Sequence, residues 1–179
     1  MIWPILLLSA VTVERVGELW LAGRNTRALL RRGGREVGRE HYGLIVALHA
    51  LWLACLWILS WNVTVDLTWL AAFALLQALR LWILLTLGTR WTTRIIVVPW
   101  ETLVEAGPYR FMRHPNYVVV VGEIAVLPLC LGQPLHALLF SIANAIVLVV
   151  RIKSENAALS GSRHAAQVKS FGRVWKVVT

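Results

Sequence analysis

Long apolar runs separated by short polar connections dominate the chain. A helix needs about 20 apolar residues to cross a hydrocarbon core. Five stretches are candidates: residues 2–22, 43–61, 67–88, 116–133 and 135–152. The fourth contains Gly122, Glu123 and Pro128, which predicts a bend or shielding by neighbouring protein. No internal repeat and no low-complexity segment is present. The pattern predicts an all-α integral membrane protein of about five transmembrane helices, folded as one domain over residues 1–179. Its halves are 1–88, with three helices, and 89–179, with two helices and a long polar connection.

Composition agrees with this reading. Hydrophobic residues make up 58% of the chain and charged residues 15%, whereas soluble domains run at about half and about a quarter. A chain this small cannot hide so much apolar area from water by folding alone. The formal net charge of +9 brings nucleic acid to mind, but the basic residues lie between the apolar runs. Connection 23–42 carries Arg24, Arg27, Arg31, Arg32, Arg35 and Arg39, and connection 89–115 carries Arg90, Arg94, Arg110 and Arg113. The tail carries Arg151, Lys153, Arg163, Lys169, Arg173 and Lys176. Connection 62–66, which holds Asp66, and the turn near 133–136 have no Lys or Arg. By the positive-inside rule this alternation puts the N-terminus outside and the C-terminus in the cytosol.

Arg24, Arg27 and Arg31 share a face if 24–32 is helical, with Gly33 and Gly34 ending that helix; a solvated face touching anionic lipid head groups accounts for them. Residues 1–22 lack a basic leading region and a small-residue cleavage site, so a cleaved signal peptide is not expected. The C-terminal Trp-Lys-Val-Val-Thr holds no prenylation cysteine. Cys55 and Cys130, within apolar runs and away from CxxC or His, are expected in the core, with no metal site.

Ionisable groups inside a span are costly and therefore informative. Glu14 and Glu18 are one helical turn apart on one face, with Arg15 on a different part of the surface. Arg80, one turn after Gln77, is a candidate partner for either glutamate, and Glu123 is the sole acid of the fourth span. A buried network tying the helices together and a substrate-binding role both fit these residues.

The connection from Pro99 to Tyr117 is too polar to span, and it is dense in Pro, Gly, aromatic and basic side chains, as a folded binding loop is. Gly107-Pro108 and His114-Pro115 each force the chain out of helix, because the residue before proline avoids the α region. The second break presents His114 and Tyr117 beside a helix N-terminus, which favours anions. Arg151 and Glu155 lie one turn apart on the last span, with Asn144 two turns earlier on the same stripe. A surface ion pair, worth under about 1 kcal/mol, and a polar site are both open for this stripe.

Together, Gly107-Pro108-Tyr109-Arg110, Arg113-His114-Pro115-Asn116-Tyr117, Arg151-Ile152 and Glu155 resemble the isoprenylcysteine carboxyl methyltransferase family. Arg24-Asn25-Thr26-Arg27, Gly33 to Gly38, His41-Tyr42, His49 and Arg90-Trp91-Thr92-Thr93-Arg94 are similar to a bacterial branch of it. The resemblance implies a catalytic second half with a cytosol-facing loop-and-tail pocket for S-adenosylmethionine, and a lipidic small-molecule substrate that arrives from the bilayer. It assigns the cofactor to Glu101, Thr102, Leu103, Val104, Tyr109, His114, Pro115, Asn116, Tyr117 and Glu155. It makes Arg151 the substrate-binding position, with Asn144 on its stripe, and puts Arg151 and Glu155 at the reaction. Glu101 stands where the family usually has histidine, and Asn156 where many members have a second acid.

Two acceptor classes follow from the resemblance. A prenylcysteine carboxylate is ionised near neutral pH and needs no base. A phenol or enolic lactone hydroxyl, as in polyketide-derived lipids, gains from a base or from a cation that stabilises its oxyanion. Arg151 would supply the cation, and His114 or a glutamate the base. The Arg-His-Pro-x-Tyr run is also close to one in membrane sterol reductases, so an NADPH-dependent reductase is an alternative, although those enzymes are longer. A non-catalytic membrane scaffold is another, and cofactor binding separates the three.

Overall fold

In a computed structural model the described residues form five α-helices, a two-stranded ribbon and two short 3-10 turns. The backbone is described for residues 2–99, 101–102 and 104–175, and the side chains for these residues except 156 and 158–175. Leu103 and the side chains of Asn156, Arg163, Lys169, Arg173 and Lys176 therefore lie outside the described residues. In chain order the elements are α1 (Ile2–Arg31), β1 (Arg35–Val37), α2 (Arg39–Leu59), α3 (Leu67–Leu87), β2 (Ile95–Val97), α4 (Pro115–Cys130) and α5 (Pro134–Trp175).

Among the described residues three helical segments are long and apolar enough to cross a membrane: Arg39–Leu59, Leu67–Arg90 and Pro134–Glu155. The first expected span is helical but carries three charges, and the fourth, at 16 residues, is short. α1 runs on through 24–31 without a break, and Gly33, at φ 84°, turns the chain after it. The helices turn bulky apolar side chains outward: Trp3, Val13, Leu75 and Leu85 are each at least 70% exposed. Apolar exposure on that scale marks a lipid-facing surface. Inward, Leu8 and Val11 of α1, Trp52 and Leu56 of α2, Phe73 of α3, and Ile124, Leu127 and Cys130 of α4 pack into one core. Cys130 is buried as expected, while Cys55 is only half-buried.

Local chemistry sets the element boundaries. The Asp66 carboxylate accepts the N–H groups of Thr68 at 2.8 Å and Trp69 at 3.2 Å, capping α3. α3 and α4 approach so closely at Gly122 that a Cβ there would come within 2.7 Å of the Leu76 side chain. The ribbon is a feature the sequence pattern did not predict. β1 and β2 pair antiparallel, with Arg35 opposite Val97 and Val37 opposite Ile95. Arg94 clamps it by donating to Glu36 at 2.8 Å and lying 4.4 Å over the Tyr42 ring.

Halfway along the bundle lies a buried charge layer. The Arg80 guanidinium donates to Glu123 from Nε at 2.9 Å and again from Nη2, and to both oxygens of Glu18 at 2.9 and 3.0 Å. Arg15 donates to Glu18 at 2.8 Å and to Glu123 at 3.0 Å. Placing Arg15 on a separate part of the surface was therefore incorrect: a long side chain on the neighbouring position reaches round the helix. Arg80 takes Glu18 rather than Glu14, and Glu14 accepts from Gln77 at 3.2 Å. Buried charges persist only when paired and hydrogen-bonded, and these pairs stitch α1, α3 and α4 together.

Arg80→Met should lower stability by about 3–5 kcal/mol, the typical loss when one partner of a buried pair is removed. The expected result is a large drop in Tm of the detergent-solubilised protein, partly recovered when Glu123→Gln is added. An unchanged Tm in the single variant would show that this layer does not hold the bundle.

Candidate functional site

α4 begins abruptly because Pro115 occupies its first turn, where a missing N–H costs nothing. His114 is the residue before that turn, so its ring and that of Tyr117 stack with centroids 5.2 Å apart. Upstream, the 3-10 turn Gly107–Arg110 starts at Gly107 with φ 55°, where any Cβ would run into Thr86. That close fit against α3 sets Tyr109 beside the α4 N-terminus. Burial, and secondarily the Glu155 charge, push the Tyr109 phenol up to about 12, so it stays a neutral donor.

Tyr117 is the hub. Its hydroxyl donates to Glu155 and accepts from Arg151 Nε at 3.1 Å. Arg151 also donates from Nη2 to the Thr93 carbonyl at 2.7 Å. His114 Nδ1 lies 3.8 Å from Glu155. Arg151 and Glu155 thus meet through Tyr117 and not as the direct ion pair that their spacing offered. Among the described residues no carboxylate approaches Arg151 within ion-pair distance.

Two cavities adjoin here. The outer one, about 280 Å³, lies between the 89–115 connection and the ends of α4 and α5; its lining includes Glu101, Thr102, Val104, Tyr109, His114 and Glu155. The inner one, about 300 Å³, runs into the bundle among all five helices, with Arg80 contributed by α3, and Asn144 lines it. Trp91, Asn116, Tyr117 and Arg151 line both. Most of the expected site residues therefore converge. Pro115 is buried and lines neither cavity, so its part is to start α4. Glu101 is ion-paired with Arg32 and Arg90 at the outer rim. Asn144 belongs to the inner cavity alone, apart from the outer residues with which its stripe grouped it.

The sequence reading gave no site role to Trp91, Thr93, Tyr42 or His49. Segment 88–93 is carried by α1: the Asn25 amide donates to the Trp91 carbonyl at 2.8 Å, and Thr26 bonds Thr92 at 2.9 Å. Tyr42 bonds Thr93 at 3.1 Å. The signal that could have found them is the polar run at 90–94 opposite the polar positions 24–26.

The profile of the isoprenylcysteine carboxyl methyltransferase family matches residues 69–161, which include the connection, α4 and the part of α5 that carries Arg151 and Glu155. The uncharacterized protein YpbQ of Bacillus subtilis (strain 168) is 39% identical over 164 residues, covering 89% of this chain and 96% of the relative. An uncharacterized protein of Haemophilus influenzae is 25% identical over 159 residues, covering 85% and 92%. No solved structure matches. By this profile, which spans more than half of its length, the chain belongs to the isoprenylcysteine carboxyl methyltransferase family.

Proposed function

We propose that the protein transfers a methyl group from S-adenosylmethionine to an oxygen of a lipidic acceptor that reaches the site from the bilayer. The observation that carries this reading is the shared wall: Tyr117 and Arg151 face a cavity of mixed polar and apolar lining at the loop and a more apolar one inside the bundle. A donor and a lipid can approach that wall from opposite sides.

The residues of the outer cavity suit the cofactor. Glu155 and Glu101 can accept from its ammonium and ribose hydroxyls, and Arg113 and His114 can donate to its carboxylate. The Tyr109 ring offers a surface to the adenine. The buried Oδ1 of Asn116 has no partner among the described residues, and a buried acceptor of that kind calls for a donor. When bound, the cofactor supplies an electrophilic methyl group on a sulfonium.

The chain's own residues orient the acceptor and manage its charge. Arg151 is fixed by two neutral partners, Tyr117 and the Thr93 carbonyl, which leaves its positive charge available to an acceptor oxyanion. For a carboxylate that contact is binding and orientation. For a phenolic or enolic hydroxyl the same contacts also provide a proton path. The acceptor O–H passes its proton to the Tyr117 oxygen as the Tyr117 proton moves to Glu155. A chain that crosses five times, with the N-terminus outside and the loop-and-tail pocket in the cytosol, is supported by the alternation of basic connections.

Calorimetry on detergent-purified protein should show binding of S-adenosylmethionine and none of NADPH, with the former weakened at least about 10-fold by His114→Ala. Binding of NADPH alone would replace this reading with a reductase. Arg151→Met should lower turnover about 100-fold or more, since removing one preorganised charge contact costs about 10²–10³, with cofactor affinity within a few-fold of the parent. Tyr117→Phe should slow hydroxyl methylation more than carboxylate methylation; equal loss on both would remove the proton path. A C-terminal alkaline phosphatase fusion in a bacterial host should be inactive and a C-terminal fluorescent-protein fusion bright, whereas the reverse would invert the topology.

A further inference from the structure

The five helices carry a second polar layer at a constant depth below the Tyr117–Arg151 wall. Seven residues separate Asn116 from Glu123 on α4, Arg151 from Asn144 on α5, and Tyr42 from His49 on α2. The same interval separates Asn25 from Glu18 on α1 and Leu87 from Arg80 on α3. Two helical turns at 1.5 Å per residue place this layer about 10 Å deeper. Glu123, Asn144, His49, Glu18 and Arg80 all line the inner cavity, as does Arg15.

Two of these groups have capacity to spare. Asn144 is only 4% exposed, yet its carboxamide makes no hydrogen bond among the described residues. His49 engages the Ile45 carbonyl through Nδ1 at 2.8 Å. A ring that donates from Nδ1 to a carbonyl carries a lone pair on Nε2. The charged members pair with one another: Arg15 and Arg80 meet Glu18 and Glu123, and Arg15 also lies 3.5 Å from Glu14, so among the described residues an anionic guest would find no unpaired cation in this layer. Asn144 and His49 are matched instead by an uncharged hydrogen-bonding partner.

We propose that the inner cavity selects acceptors with a second, uncharged oxygen group, a ketone, amide or hydroxyl, about 10 Å from the oxygen held at Arg151. The Asn144 N–H groups would donate to its oxygen, and His49 would accept from an O–H or N–H. This rests on the methyl-transfer reading for the identity of the wall and deepens it by naming the substrate class. A plain prenyl or alkyl chain would lay hydrocarbon against Asn144 and leave its buried amide unpaired. The preferred acceptor is then an oxygenated amphiphile, not a simple prenylcysteine.

The test uses the full-length protein in detergent and a series of 4-alkylphenols in which a single ketone is moved one carbon at a time along the chain. The all-methylene phenol is the reference. Affinity is read by calorimetry and by the rise in Tm, neither of which requires turnover. The expected result is a single maximum, with the ketone about 10 Å from the phenolic oxygen and affinity about 10-fold above the reference. Asn144→Leu should abolish the maximum while S-adenosylmethionine binding is unchanged. Should Asn144→Leu fail to fold, His49→Phe is read with the matching hydroxyl series. A flat profile across the ketones, or a maximum that survives Asn144→Leu, overturns the proposal. Methyl transfer to the phenols with a flat profile defeats this inference alone, and the maximum without methyl transfer defeats the methyltransferase reading alone.

Discussion

The Arg80 guanidinium, shared between Glu18 and Glu123 in the middle of the bundle, is the constraint on which the remaining geometry depends. In a low-dielectric interior none of these three groups can stand alone, and pairing them requires α1, α3 and α4 to meet at one level and one rotation. Arg15 closes the same knot from the α1 side. With that level fixed, Asn25, Leu87 and Asn116 arrive together two turns higher, where the connecting segments are gathered. The site is built on that platform. Helix termini whose axial positions are locked by charge hold loop residues that have few contacts of their own.

The upper level depends on interruptions. Pro115 stops α4 at a defined residue, and Gly107 lets the preceding turn press against α3, so that Tyr109, His114 and Tyr117 face one cavity. The third interruption is the 88–93 segment, fastened to α1 by Asn25 and Thr26. Arg151 reaches this segment from α5, which leaves its charge pointing at a wall between two cavities and uncommitted to a carboxylate.

Much of this was legible in the sequence because apolar length and proline are strong local signals. The five helical stretches, the end of α1 near Gly33 and the break at His114-Pro115 follow from patterns within a few residues, whereas the grouping of Tyr109, His114, Tyr117, Arg151 and Glu155 was implied by the family resemblance. What was not legible depends on contacts between distant segments. The ribbon of residues 35–37 with 95–97 has strands too short to show alternation, and its partners lie about sixty residues apart. Arg15 was misplaced because helical phase gives the direction of a Cβ and not the reach of a guanidinium. The separation of Asn144 from Glu155 was hidden because a stripe on one helix does not reveal where a neighbouring side chain divides the space beside it. Tyr117 is that divider.

Thr93 carries two jobs on one residue: its hydroxyl meets Tyr42 and its carbonyl holds Arg151. A main-chain oxygen is present whatever side chain the position bears. The orientation of the arginine is therefore written in the path of the backbone rather than in the identity of residue 93. A change there alters how α2 is attached and leaves the hold on Arg151 in place. The α2 face of the inner cavity can thus change while Arg151 keeps its orientation.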